Sequence, residues 1–422
     1  MGHNIQPLLN KVYLKAKRAQ GVYITDENGK QYLDGSSGAV TCSLGHSHPK
    51  VVEFMRQQLG RLQFVYRSQF GSEEAERLAT RLYEISPKKS CGHTFFVNSG
   101  TEAIETAMKT AIQHFLERGL PEKTQFISRW KSYHGITMGA LSLSGHRLRR
   151  QRFESTLQKY PCLKADLELD PVERHENEFR EMIAQIGAGR IAAFVAEPIV
   201  GAAGTALTPP PDYYPRMKAI CRENDILFIA DEVMTGLGRT GKWFGLEHWN
   251  ETADIVAVGK SLGAGYAPIA ATLMTDAVIE PIQKGSGLIM AGHTYSGHPL
   301  SCATANRVLE VVEEDRLLDN VNTQGDYLKA NLQALQKRFS VIHAVRGKGL
   351  MLGMEFDRLR KGFQAQLIER CFQNGLLVYP SVGGPEGTDE NGILISPPFI
   401  ISRAQTDELL EKFVQSLEAL ES

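Results

Sequence analysis

Short apolar runs alternate with longer amphipathic stretches over most of the chain. The apolar runs are rich in β-branched and aromatic residues, have the length of a buried strand, and stop at a polar or charged residue. They lie within residues 93–100, 124–130, 190–198, 225–233 and 254–260. Residues 101–119, between the first two runs, have helical spacing. This alternation predicts an α/β protein with a largely parallel sheet.

The pattern changes after residue 298. Residues 301–339 carry apolar positions three and four apart, which predicts one long helix. Residues 341–356 and 375–381 resemble strands, residues 403–422 predict a closing helix, and Asn28-Gly29 predicts a hairpin turn near the start. We therefore expect an N-terminal segment (1–49) that packs with a small α+β domain (299–422), and a large domain (50–298).

Length and charge narrow the classes of function. A chain of 422 residues exceeds what one core usually holds, so two domains are expected. Its 47 basic and 48 acidic residues give no electrostatic reason to expect nucleic acid or a membrane as partner. Six dispersed cysteines without a CxxC pair indicate reduced thiols. The first residues lack the apolar segment of a secretory signal, so we expect a cytoplasmic protein.

Polar side chains follow the predicted strands. They are Ser99, Tyr133, Glu197, Asp231 and Lys260. Ligands of open parallel sheets bind beyond the carboxyl ends of the strands, where the loops begin. The sequence therefore predicts that these side chains meet at one edge of the sheet.

The segment VNSGTEA, residues 97–103, joins a predicted strand to a predicted helix. The backbone amides of Gly100 and Thr101 would lie at the positive end of the helix dipole, and the hydroxyls of Ser99 and Thr101 add donors, which fits a phosphate. An ordinary helix cap is the alternative. A second glycine-rich segment, GLGRTG at 236–241, matches a dinucleotide motif, but Trp243 follows where a phosphate-binding loop needs Ser or Thr.

Asp231 and Lys260 both end apolar strands. An ionised carboxylate there needs a partner, which would be a salt bridge, a helix cap or the protonated nitrogen of a bound ring. A lysine at such a place is either a solvated strand end or a buried amine that shifts toward the neutral, nucleophilic form. The two residues stand in chain order after the phosphate motif, which favours a cofactor site.

Six motifs carry a resemblance that covers nearly the whole chain. They are NSGTEA (98–103), KSYHG (131–135), AEPIVG (196–201), DEVMTGLGRTG (231–241), VGKSLGAGYAPIAA (258–271) and GHTYSGHP (292–299). The chain resembles the class III aminotransferases, a branch of the fold-type I enzymes that use pyridoxal 5'-phosphate (PLP). The resemblance implies a mostly parallel seven-stranded sheet flanked by helices, with a smaller α+β domain.

The resemblance also implies roles for individual residues. Lys260 forms a Schiff base with PLP and then moves the proton between substrate and cofactor, and Asp231 pairs with the pyridine nitrogen. Thr294 reaches the phosphate of the neighbouring subunit, so we expect a homodimer, or a dimer of dimers, with shared sites. The remaining implied cofactor contacts are Ser99, Gly100, Thr101, Tyr133, His134 and Val233.

The substrate side departs from the family pattern. Relatives that act on ornithine or 4-aminobutyrate carry an arginine where this chain has Leu394, although the glutamate that can pair with it is present as Glu197. The loop 383–392 has no arginine and is acidic, through Glu386, Asp389 and Glu390, so it is either a solvated flap or a segment that favours cationic or neutral amine donors. Substrate carboxylate partners remain open. The candidates are Arg403, Arg149 and Arg150, the last two interpreted as a surface cluster.

The motifs together predict a transaminase with ping-pong kinetics. It would move an amino group from an amine or ω-amino acid to a 2-oxo acid, with pyruvate favoured. A PLP-dependent racemase, aminomutase or decarboxylase on the same fold stays open, and a non-catalytic scaffold is disfavoured because Lys260 and Asp231 are both present. His46 and His48 have no further ligands spaced around them, so no metal is expected.

Overall fold

The computed structural model describes residues 3–384 and 388–421. In chain order, the strands are β1 (Ala16–Gln20), β2 (Tyr23–Asp26), β3 (Gln31–Asp34), β4 (His93–Val97), β5 (Gln125–Arg129), β6 (Cys162–Leu163), β7 (Ile191–Ala196), β8 (Leu227–Asp231), β9 (Ile255–Val258), β10 (Ala270–Met274), β11 (Ile342–Lys348), β12 (Met351–Phe356), β13 (Leu376–Leu377), β14 (Tyr379–Gly383) and β15 (Asp389–Ile395). The helices are α1 (Ser37–Val40), α2 (Pro49–Leu59), α3 (Glu73–Ile85), α4 (Gly100–Glu117), α5 (Met138–Leu143), α6 (Arg147–Arg150), α7 (Val172–Ile186), α8 (Tyr213–Glu223), α9 (Asp276–Lys284), α10 (Pro299–Glu314), α11 (Leu317–Arg338), α12 (Phe363–Gln373) and α13 (Arg403–Glu421). None of the described helices combines the length and apolar character needed to cross a membrane.

The largest sheet has seven strands in the order β4-β10-β9-β8-β7-β5-β6. The five strands from β9 to β6 are parallel, whereas β10 runs antiparallel to both of its neighbours. Every residue of β7 is buried, as expected for a central strand of a sheet covered by helices. The five strands predicted from the apolar runs are β4, β5, β7, β8 and β9, so the prediction of an α/β protein with a mostly parallel sheet is confirmed.

Two four-stranded sheets accompany the large one. In the first, β11, β12, β15 and β14 are antiparallel neighbours. In the second, the hairpin of β2 and β3 turns at Asn28-Gly29, and β3 pairs in parallel with β13 through Leu33 and Leu376. This pairing joins the N-terminal segment to the C-terminal part of the chain. The boundaries 1–49, 50–298 and 299–422 stay a prediction.

Two elements of the C-terminal part differ from the sequence-based expectation. The stretch 301–339 is two helices, because Arg316 adopts a left-handed conformation with φ of 50° between α10 and α11. No glycine or proline marks this break in the sequence. The expected loop 383–392 is shorter than predicted, because Asp389 already begins β15, which pairs with both β12 and β14.

The fully buried Arg239 connects three distant segments of the chain. Its Nη1 donates to the carbonyl oxygens of Leu350 at 3.0 Å and Pro397 at 2.7 Å, and its Nη2 donates to the hydroxyl of Ser37 at 3.3 Å. Burial lowers the pKa of Arg239 to about 9, although the negative charge of Asp34 opposes this shift. Arg239 lies inside the GLGRTG segment, so that segment has a structural role here.

Replacement of Arg239 by Met should lower the free energy of unfolding by about 2–5 kcal/mol, because two buried carbonyl groups lose their donor. Urea unfolding followed by circular dichroism measures this change. Arg316→Met is the matched control, since the side chain of Arg316 is exposed and pairs with Asp319 at the surface. A loss for Arg239→Met no larger than that of the control would contradict the prediction.

Candidate active site

The predicted strand-end residues lie along one edge of the large sheet. Asp231 is the last residue of β8, Glu197 follows β7 directly, and Lys260 lies two residues after β9. Tyr133 lies in the loop after β5, the neighbour of β7. Because these strands are parallel and adjacent, their carboxyl ends bring the four side chains to the same side of the sheet.

Asp231 and His134 form a buried pair. Oδ2 of Asp231 lies 2.8 Å from Nδ1 of His134, and both residues are at most 4% exposed. Oδ1 of Asp231 accepts a hydrogen bond from the backbone amide of Val233 at 3.1 Å, and the backbone amide of His134 donates to the hydroxyl of Ser144 at 2.8 Å. The carboxylate is therefore fixed from two sides, and the loop after β5 is tied to the end of β8.

The side-chain amine of Lys260 makes no hydrogen bond or salt bridge within the described chain, whereas its backbone carbonyl accepts hydrogen bonds from the amides of Gly263 and Ala264. Its backbone is left-handed, with φ of 41°, at the start of a short 3₁₀ turn that ends at Leu262. Burial lowers the pKa of Lys260, while the negative charges of Asp231 and Glu197 oppose this shift. A larger fraction of its amine is therefore neutral, and nucleophilic, than for a lysine in water.

The N-terminus of α4 packs directly beside this lysine. Ser99 caps the helix, with Oγ accepting a hydrogen bond from the backbone amide of Glu102 at 3.4 Å. A Cβ atom on Gly100 would lie 2.6 Å from Cγ1 of Val233, and the same Cγ1 would lie 3.4 Å from a Cβ on Gly259. Val233 therefore packs between the helix start and the residue that precedes Lys260. Only glycine at position 100 permits this approach.

Thr101 joins the start of α4 to the loop that follows Tyr133. Its Oγ1 lies 2.9 Å from Oγ1 of Thr137 and accepts hydrogen bonds from the backbone amides of Ile136 and Thr137. The first backbone amides of a helix have no partner within the helix. The amides at the start of α4 thus form a site of positive potential for an anion, beside Lys260.

Glu197 is held by backbone amides. Oε1 accepts from Tyr133 at 2.9 Å and Oε2 accepts from Gly201 at 3.0 Å. Burial raises the pKa of Glu197, and the negative charge of Asp231 acts in the same direction, whereas His134 opposes it. Leu394, at the position where relatives carry arginine, is fully buried in the apolar core. The polar needs of Glu197 are met without an arginine.

The side chains that hold the backbone of Glu197 were not predicted from the sequence. The guanidinium of buried Arg129 donates to the backbone carbonyl of Glu197, and the hydroxyl of Tyr214 donates to the same oxygen. Arg129 also donates to the Tyr214 hydroxyl at 3.1 Å. Arg129 near the end of the predicted strand 124–130 was the available signal in the sequence, because a charged side chain there needs buried partners.

Tyr133 carries a second unpredicted contact. Nη1 of Arg149 donates to its hydroxyl at 3.2 Å, and the guanidinium lies 4.6 Å from the centre of its ring. Burial raises the pKa of Tyr133, and Arg149 works in the opposite direction. Arg149 therefore belongs to the site, and its interpretation as part of a surface cluster is wrong. Arg150 donates instead to three backbone carbonyls and pairs with Glu154.

Some sequence-predicted residues are not brought to this site. Arg403 is exposed in the first turn of α13, where it stacks 3.3 Å from the ring centre of Tyr327, so its expected contact with substrate is not supported. Thr294 is exposed on the loop before α10. In the acidic segment, Asp389 begins β15, and Glu386 lies outside the described residues. His46 pairs with Asp34 at 2.9 Å.

Comparison with known proteins identifies the family. The family described as Aminotransferase class-III matches residues 6–417. The chain belongs to the class III aminotransferases. It is 47% identical to an uncharacterized aminotransferase of Bacillus subtilis, over 99% of this chain and 98% of the relative, and 30% identical to the putrescine–pyruvate aminotransferase of Pseudomonas aeruginosa, over 97% and 92%.

A solved structure extends the comparison to the cofactor. An amine transaminase from an uncultivated Pseudomonas species, in its PLP-bound form, matches with a TM-score of 0.91 and 32% identity, over 99% of this chain and 97% of the other. PLP is the cofactor of this class III aminotransferase. The residues present fit it, since a helix N-terminus suits the phosphate, the amine of Lys260 with its lowered pKa suits the aldehyde, and the carboxylate of Asp231 suits the ring nitrogen.

Replacement of Gly100 by Ala should weaken PLP binding by about tenfold or more, because the new methyl group displaces Val233 from the start of α4. Equilibrium dialysis of PLP against the apoprotein measures the dissociation constant. Gly189→Ala is the control, since a Cβ atom at Gly189 meets nothing within 4 Å. An unchanged dissociation constant for Gly100→Ala would show that the helix start does not lie against the cofactor.

Proposed function

We propose that this aminotransferase moves an amino group from an amine or ω-amino acid to a 2-oxo acid, with pyruvate as the favoured acceptor. The observation that carries the proposal is the convergence of Lys260, the Asp231–His134 pair and the start of α4 at one sheet edge. The name of the Pseudomonas aeruginosa relative, which pairs putrescine with pyruvate, supports an amine donor and this acceptor.

Lys260 has two tasks in this proposal. Its amine binds PLP covalently, and after substrate has displaced it, the same Nζ moves the proton between the substrate carbon and the cofactor. PLP, when bound, supplies the electron sink that this proton transfer needs. The burial that lowers the pKa of Lys260 increases the neutral fraction of the freed amine, and a neutral amine can accept the proton.

The other residues hold and orient the cofactor. Asp231 keeps the proton on the pyridine nitrogen, and His134 is a positioning residue that fixes the carboxylate through its 2.8 Å contact. Val233 and Tyr133 pack on opposite faces of the ring. The phosphate binds at the start of α4, through Ser99, Gly100 and Thr101. Glu197, fixed by two backbone amides, faces the substrate.

Wild-type holoenzyme should lose its visible cofactor absorbance when an amine is added without a 2-oxo acid, and pyruvate should restore it. Lys260→Ala should lower turnover by at least about a thousandfold, because the group that moves the proton is absent. Stopped-flow absorbance and steady-state assays measure both effects, with the exposed Lys242→Ala as control.

The spectra also separate the alternative reactions. Product formation without any loss of the cofactor absorbance would contradict transamination and would indicate a racemase, aminomutase or decarboxylase. Full turnover by Lys260→Ala would contradict the assigned role of this lysine.

We also propose that the enzyme is a homodimer in which Thr294 serves the phosphate site of the partner subunit. Thr294 is exposed beside a groove whose lining includes exposed apolar side chains, such as Met290 at 70% exposure and Tyr295 at 58%. Exposed apolar surface of this kind is typical of a protein interface. A hydroxyl in its lining can reach a second copy.

Mixed dimers test this arrangement. Thr294→Ala alone should weaken PLP binding about tenfold, through the loss of a hydrogen bond to a charged group. A dimer of one Lys260→Ala subunit and one Thr294→Ala subunit should contain one complete site, and should recover about half of the wild-type activity at limiting PLP, measured on purified, differently tagged heterodimers. No recovery would show that Thr294 acts within its own subunit, and an unchanged PLP affinity of Thr294→Ala alone would show that it does not act at the cofactor.

A further inference from the structure

Arg149 is an unusual member of the basic segment around α6. The two other arginines of this helix differ from it. Arg147 is exposed and has no ion pair with any described residue, and Arg150 donates to three carbonyl oxygens and pairs with Glu154. Arg149 is half-buried, and its guanidinium lies over the ring of Tyr133. The structure therefore points this one cation of the segment toward the site.

The hydrogen-bonding capacity of Arg149 is largely unused. A guanidinium has five N–H donors, and within the described chain Arg149 uses one, from Nη1 to the hydroxyl of Tyr133 at 3.2 Å. No carboxylate among the described residues lies within 4.0 Å of it. The nearby Glu197 is occupied by the backbone amides of Tyr133 and Gly201, and Asp231 by His134. Among residues 3–384 and 388–421, no carboxylate pairs with this cation.

Arg149 is close enough to Lys260 for its charge to act on the reacting amine. Burial lowers the pKa of Lys260, and the positive charge of Arg149 acts in the same direction, so the two cationic groups share one electrostatic environment. Tyr133, which Arg149 contacts through its hydroxyl and its ring, lies in the loop after β5 at the same sheet edge as Lys260. A planar fork of free N–H donors in this half-buried place fits the two oxygens of a carboxylate.

We propose that Arg149 binds the carboxylate of the substrate and thereby sets the preference of the enzyme for oxo acids over carboxylate-free aldehydes. The inference rests on the proposed transamination, and it identifies the missing partner of the substrate carboxylate. The apolar Leu394 and the exposed Arg403 do not provide one. Tyr133 orients the guanidinium by accepting one of its hydrogen bonds.

Pairs of substrates that differ only in the carboxylate test the proposal. Arg149→Met should lower the ratio of specificity constants for pyruvate over acetaldehyde, or for succinate semialdehyde over butanal, roughly ten- to hundredfold, as expected for a charge-assisted hydrogen bond. Loss of the stacking contact with Tyr133 affects both members of a pair and cancels in the ratio. A change with pyruvate places the arginine at the carboxylate next to the reacting carbon, and a change with succinate semialdehyde places it at a distal one.

Direct binding gives a readout that does not depend on turnover. Calorimetric titration of the holoenzyme should show a ten- to hundredfold higher dissociation constant for butyrate in Arg149→Met, with butyramide unaffected. Arg149→Lys should restore part of the butyrate affinity, because the charge remains while the planar fork is lost. Arg147→Met, which removes one charge from the same helix, should behave as wild type.

The outcomes separate this inference from the proposed function. Equal losses for both members of each substrate pair, together with unchanged butyrate binding, would overturn the role of Arg149 while leaving transamination intact. Failure of the wild-type holoenzyme to respond to any amine would overturn the proposed function, and the butyrate titration would still decide whether Arg149 binds a carboxylate.

Discussion

A charged side chain at the end of a buried strand needs a partner inside the protein. This requirement determines how the loops pack at the carboxyl edge of the large sheet. Asp231 meets it with His134, and Glu197 meets it with two backbone amides. His134 and Tyr133 belong to the loop after β5, and Gly201 belongs to the loop after β7, so each pairing also fixes a loop. Lys260 has no such partner within the described chain. The site is therefore a rigid polar frame around one amine that remains free to react.

The frame extends beyond the groups that contact the cofactor. Arg129 and Tyr214 hold the backbone carbonyl of Glu197 from behind, which fixes the turn after β7. Val233 packs against the start of α4 and against the residue that precedes Lys260, so the helix start and the reactive amine share one neighbour. Displacement of any of these side chains moves the groups in front of it, since close-packed interiors transmit small shifts. Precision at Lys260 thus depends on residues that never contact a substrate.

The residues that handle the cofactor could be predicted from the sequence, whereas the residues that bind the substrate could not. Lys260, Asp231 and Glu197 lie at the ends of strands that the apolar runs of the sequence predict directly. Because these strands are parallel neighbours, their carboxyl ends lie together at one sheet edge. Arg149 was misjudged because its short helix has no periodic pattern, and only the path of the chain after Tyr133 decides which side chain faces the site. The helix break at Arg316 was missed for a related reason: it lacks glycine and proline, and tertiary packing imposes it.

The parallel pairing of β3 with β13 has a consequence for the order of folding. Leu33 and Leu376 face each other in register, although 93–274, the span of the seven-stranded sheet, lies between them along the chain. During synthesis the large sheet can assemble as soon as its own strands have left the ribosome, while the opening hairpin waits for a strand made near the end. The N-terminal strands stay unpaired at one edge in that interval. Nascent chains are therefore most exposed to aggregation at the segment made first.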